Sequence, residues 1–174
     1  MKKFDVLDIG IIVADIPVKL PCEAIDFASD TFRVEGIDIR AGGDAANSAV
    51  ALSRLGKKVA LAGALGNDAI GNLVREIVAD KGVDTDYVRM KDGVTTSTSI
   101  VLVNNKGART FICTRGNNVT LCMADLDFAL IPQVRHRHSL LCGRKRGGRH
   151  RERGRGARQL RHGLCRGCRI ARVY

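Results

Sequence analysis

The chain has 174 residues, with 29 Lys and Arg against 18 Asp and Glu and a net charge of +11, enough for one domain with its own core. The charge is uneven: beyond Val134 stand 14 basic residues and one acid, Glu152, whereas Met1–Val134 holds 15 basic and 17 acidic residues, so the composition does not describe a uniformly nucleic-acid-seeking domain. No run approaches the ~20 apolar residues that span a bilayer, and Asp5, Asp8 and Asp15 break up the apolar N-terminus before a signal-peptide core can form; a cytoplasmic protein with no membrane partner is expected.

The first element is the apolar, β-branched run Phe4–Val13, which predicts a strand buried on both faces, as in a parallel sheet. Residues 31–40 (TFRVEGIDIR) alternate instead. Phe32 and Val34 oppose Arg33 and Glu35, and past Gly36 the pattern resumes with Ile37 and Ile39, predicting a strand with one wet face. Asp44 is placed to cap a helix through AANSAVALSRL that stops at Gly56. KVALAGALG reads as another buried strand. Asp68 is placed to cap a second helix, whose residues Ile70, Leu73, Val74, Ile77 and Val78 make one apolar stripe; Gly82 ends it. STSIVLV and ARTFICT, joined by Asn-Asn-Lys-Gly, predict a hairpin. Strands alternating with helices argue for an α/β fold with a mainly parallel sheet. The half-wet strands at 31–40 and 97–114 are assigned to a separate small sheet. Cys22, Cys113 and Cys122 stand singly among apolar residues and are expected to be buried free thiols.

The segment Ala41–Gly66 carries the chemistry. Gly42 and Gly43 let backbone approach a ligand because no Cβ intervenes. The following helix presents unpaired amides and a positive dipole end at the same place. Asn47, one turn in, offers a donor and an acceptor. On geometry alone such a site serves a phosphate as well as a sugar, and a tight turn with packing glycines is the plainer alternative.

The spacing Gly42-Gly43, Asn47, Ala49, Gly56 and Gly66 resembles the N-terminal signature of the ribokinase-like (PfkB) carbohydrate kinases. GIIVAD, GNDAIG, GVDTDYV, STSIVLVNNKGARTF and RGNN follow in that family's order, over roughly Phe4–Ile131. The resemblance implies the N-terminal half of a ribokinase-like α/β domain, residues 1–138, with a small β lid. It implies a sugar or sugar-like alcohol as substrate, ATP and Mg²⁺ as cofactors, and a homodimer through the lid in the intact family member. By the same resemblance Asp15 accepts hydrogen bonds from substrate hydroxyls, and the Gly42 and Gly43 amides and the Asn47 side chain bind others; an ionised acceptor suits that task. Val13 and Asp44 depart from the residues many relatives carry, which leaves the sugar's identity open.

The family's Gly-Ala-Gly-Asp and Asn-x-x-Glu motifs, which supply the catalytic base, the oxyanion-binding amides and the metal network, do not occur in these residues. No Asp follows Asp127. No catalytic or metal residue is therefore assigned, and the chain is expected not to turn over by itself. Residues 139–174 are Arg- and Gly-rich, and the abrupt change predicts out-of-frame translation and an irregular segment. The alternative is a genuine basic arm and a non-catalytic nucleic-acid-binding protein; with Tyr174 as its one aromatic residue, the segment has little for base stacking. A zinc set from Cys142, Cys165, Cys168 and His150 or His162 is a weaker reading, since one CxxC lacks a spaced second pair.

Overall fold

A computed structural model describes residues 3–116, 122 and 125–139. The tail readings for 139–174, with their zinc and nucleic-acid alternatives, lie outside these residues except at Ser139, which ends a strand and is not irregular; Asn117 and Asn118 of RGNN also lie outside.

Two sheets share the described chain. The first is parallel throughout, in the order β5-β4-β1-β8, from β1 (Phe4–Ile9), β4 (Val59–Gly66), β5 (Val88–Lys91) and β8 (Val134–Ser139). Every residue of β4 is buried, which its unbroken Ala, Leu, Val and Gly composition requires of a central parallel strand. Helices α1 (Asp44–Arg54) and α2 (Ala69–Ala79) pack against β4. Ala45, Ala46 and Ala49 bring α1 close to the sheet, while Val74 and Val78 fill the space beneath α2. Ile12, Leu61 and Leu65 complete this core, each worth about 1.5–3 kcal/mol when fully buried. Phe4, Leu7, Leu130 and Val134 form a second cluster.

The second sheet has the order β3-β2-β6-β7: β2 (Val13–Lys19), β3 (Arg40–Gly42), β6 (Thr98–Val103) and β7 (Arg109–Cys113). β2 and β6 run parallel, and the outer pairs are antiparallel. β6 and β7 make the expected hairpin, closed by Asn104 and Ala108.

Several sequence expectations need correction. The run Phe4–Val13 is not one strand. It leaves the first sheet after Ile9, crosses at Gly10–Ile12, and enters the second sheet at Val13; continuous apolarity records burial and not a change of sheet. Residues 31–39 form no strand, and only Arg40 belongs to one. Ile37 is exposed there, and alternation without a pairing neighbour does not hold a strand. Asp44 is the first helical residue of α1. Gly43 occupies the cap position and no side chain caps the helix. Asp68 does cap α2, accepting from the Gly71 amide at 2.7 Å; α2 ends at Ala79, and Gly82 takes its positive φ beyond it. The three thiols are free but not buried. Cys113 and Cys122 are exposed and Cys22 is half-buried, because Cys113 sits on β7, where every residue faces water. β5 and β8 had no periodic signal in the sequence.

Candidate functional site

Asp15 stands in the middle of the second sheet. Its cross-strand neighbours are Arg40 on β3 and Ser99 on β6, and Ser99 in turn faces Cys113 on β7. Laterally paired residues share a face, so this register lines up Arg40, Asp15, Ser99 and Cys113 in one row. The Cys113 thiol and the Ser99 hydroxyl lie 3.4 Å apart. Sequence reading missed this row, because pairing partners on separate strands leave no mark on spacing along the chain.

Gly42 ends β3 directly against Asp15. A Cβ on Gly42 would collide with the Asp15 carboxylate, so only glycine lets the two approach. Gly43 follows at φ +89°, a conformation that side chains avoid, and a Cβ there would strike the Ile11 carbonyl. With no side-chain cap, the first amides of α1 keep donors unspent. The first intrahelical bond runs from the Asn47 amide to the Gly43 carbonyl, at 3.0 Å.

The Asp15 carboxyl is half-buried, and burial pushes its pKa above the ordinary carboxylate range. No hydrogen bond from the described residues reaches it. The structure thus joins a carboxylate with spare acceptor capacity to a helix start with spare donors. Such a pair suits a polyhydroxylated molecule, whose hydroxyls both give and accept.

Of the four residues singled out in the sequence, Asp15, Gly42 and Gly43 come together. Asp15 and Gly42 belong to the second sheet itself, while Gly43 takes the cap position before α1. Asn47 is exposed one turn into α1. It lines, with Asp38, Ile39, Arg40, Val50 and Arg54 among others, an open groove of about 560 Å³ that Asp15 does not line. The candidate site is therefore divided between a sheet and a helix.

A contact the sequence did not show ties the second sheet to α2. Besides capping α2, the Asp68 carboxylate accepts from the Thr96 amide at 2.8 Å and the Thr96 hydroxyl at 2.7 Å. Burial pushes the Asp68 pKa up, but the bonds from Thr96 and Gly71 outweigh it and hold the carboxyl below its usual range. Among the described residues no group of three His, Cys, Asp or Glu could hold a metal ion, so the implied Mg²⁺ has no fitting donor set there. No helix among them is long and apolar enough to cross a membrane.

Residues 3–138 match the pfkB family of carbohydrate kinases. The chain belongs to that family. It is similar to "Probable fructokinase-6, chloroplastic" of Arabidopsis thaliana, 32% identical over 121 residues, covering 66% of this chain and 32% of the relative. Among solved structures it resembles the Arabidopsis thaliana ribokinase complexed with ribose and ATP, with a TM-score of 0.57, 29% identity, and coverage of 66% of this chain and 37% of that one. It also resembles the fructokinase of Xylella fastidiosa, with a TM-score of 0.65, 26% identity, and coverage of 80% and 41%. The chain spans about a third of the length of the curated relatives it matches. The pfkB assignment and the ribokinase-like fold agree with the expectation from the sequence; the second sheet contains the expected strands within 97–114, lacks a strand at 31–39, and gains Val13–Lys19 instead.

Proposed function

We propose that residues 3–138 are the sugar-binding half of a carbohydrate kinase, a transferase that phosphorylates a sugar hydroxyl from ATP. The observation that carries this reading is the Asp15 carboxylate, half-buried, short of partners and pressed on Gly42 beside the uncapped start of α1. In this reading Asp15 accepts from sugar hydroxyls, the Gly42 and Gly43 amides donate to sugar oxygens, and Asn47 adds a further contact when α1 and the lid sheet come together over the substrate. Lid closure excludes water that would compete for the phosphoryl group. Fructose and ribose, the sugars the relatives are named for, are the first candidates.

ATP belongs to the proposal through the family, and the Arabidopsis ribokinase holds it. Neither the proton acceptor nor a Mg²⁺ site has a place among the described residues in this reading. The 174-residue chain is therefore proposed to bind sugar without phosphorylating it. The test is an NMR titration of the ¹⁵N-labelled chain with fructose and with ribose. Saturable shifts at the Gly42 and Gly43 amides and the Asn47 side-chain amide are expected; a folded chain whose Gly42 and Gly43 signals stay fixed with both sugars, and with other sugars and nucleosides, contradicts the reading.

A further inference from the structure

Asp15 and Gly42 ride on the lid sheet, whereas Gly43 caps α1 and Asn47 belongs to it, on the parallel sheet. Any displacement of one sheet against the other changes the shape of the site. Beside the apolar core that the two sheets share through Ala14, one polar contact resists such a displacement. Thr96 is almost fully buried and stands two residues before β6 begins. Its amide and hydroxyl both donate to Asp68, at 2.8 and 2.7 Å. Its hydroxyl also accepts from the Gly66 amide at the end of β4, at 3.1 Å. Asp68 meanwhile holds the start of α2 through Gly71. Three residues past Thr96, Ser99 pairs with Asp15, and the Ser97 carbonyl accepts from the Ala14 amide at 2.9 Å. The joint is tight. A Cβ on Gly71 would come within 2.6 Å of the Thr96 hydroxyl, and one on Gly66 within 2.7 Å of its amide nitrogen.

We infer that Asp68 is a positioning residue: by gripping Thr96 it fixes the root of the lid sheet to the parallel sheet, and so sets where Asp15 stands relative to α1. An N-cap needs one acceptor oxygen. Asp68 uses Oδ1 for the cap and for the Thr96 hydroxyl, and Oδ2 for the Thr96 amide. The second oxygen contributes nothing to the cap, and its work is the grip on Thr96. The consequence for substrate rests on the sugar-binding reading above, while the mechanical claim does not.

Hydrogen exchange on the full chain tests it, with Thr96→Val, Thr96→Ser and Asp68→Asn. Thr96→Val keeps the shape and loses the hydroxyl with its bond to Asp68 and its bond from Gly66, and is expected to speed exchange in Val13–Lys19 and Thr98–Val103 at least roughly tenfold. Exchange in residues 59–65 and Ala69–Ala79 should stay unchanged, while the Gly66 amide, which loses its acceptor, should exchange faster. Thr96→Ser restores the hydroxyl and should restore protection. Asp68→Asn keeps an oxygen for Gly71 and turns an amino group toward the Thr96 amide, so it should act on the lid strands even where α2 stays protected. Sugar affinity is expected to fall about tenfold in Thr96→Val and to return in Thr96→Ser. Unchanged lid exchange in Thr96→Val, or an equal rise across α2 and β4, overturns the inference. A chain that binds no sugar but shows the lid-specific change refutes the sugar reading and supports the grip.

Discussion

Asp15 shows how a single residue can trade stability for binding. Burial raises its carboxyl pKa, with no bond from the described residues to offset the cost. A folded-state pKa above the unfolded value of about 3.9 favours the protonated folded form. The resulting stability is present below the unfolded value and is lost as pH rises through the folded one. At neutral pH the ionised group is thus a burden on the empty fold, and Asp15→Asn is expected to melt no lower than the wild type there. Sugar affinity should move the opposite way, weakening as pH falls through the raised pKa, because the ionised carboxylate is the stronger acceptor. Melting curves and titrations from pH 4 to 8 check both. An Asp15→Asn chain destabilised by more than about 1 kcal/mol at pH 7 would mean the carboxylate has a structural partner. Gly43 sets a separate limit: at φ +89° and against the Ile11 carbonyl, Gly43→Ala should cost on the order of 1–3 kcal/mol, read from denaturant midpoints.

At the scale of elements, β4 is where sequence and structure agree best, since an eight-residue run with no polar side chain has no other stable place than between two layers. Leu65→Ala, at a fully buried position, should cost about 2–5 kcal/mol; a loss under ~1 kcal/mol in urea unfolding would place β4 nearer the surface. The β6–β7 hairpin and most of the stripe on α2 were legible for the same reason, since period and turn chemistry are local; Val74 and Val78 are buried as expected, but Leu73 is exposed. What was not legible is relational. Nothing along Phe4–Val13 marks the passage from one sheet to another at Gly10–Ile12. The alternation at 31–39 mimics a strand without a partner to pair with. The cap at Asp68 could be read, but its second grip on Thr96 joins residues 28 apart, and β8 announced itself by no apolar pattern. Of the candidate site, the residue types and the Asp15–Gly42–Gly43 grouping followed from the family resemblance, and the division between lid and helix required the fold.

For the whole molecule, the family match closes at residue 138, beside the end of β8 at Ser139. The change to Arg- and Gly-rich sequence follows at once. An out-of-frame origin for that segment remains our proposal, and resequencing the codons for residues 134–142 decides it: a one-base correction that opens a frame encoding Gly-Ala-Gly-Asp supports it, and a frame without that motif counts against it. The central claim, that this chain holds the sugar and not the phosphoryl chemistry, is tested most directly by calorimetric titration of the 174-residue protein and its Asp15→Asn variant with fructose and ribose, with ATP, Mg²⁺ and an ADP assay in parallel. Saturable heat is expected with one of the sugars, at least tenfold weaker in Asp15→Asn, and no ADP above background. Equal affinity in the two proteins, or sugar-dependent ADP release by the wild-type chain, would contradict that claim.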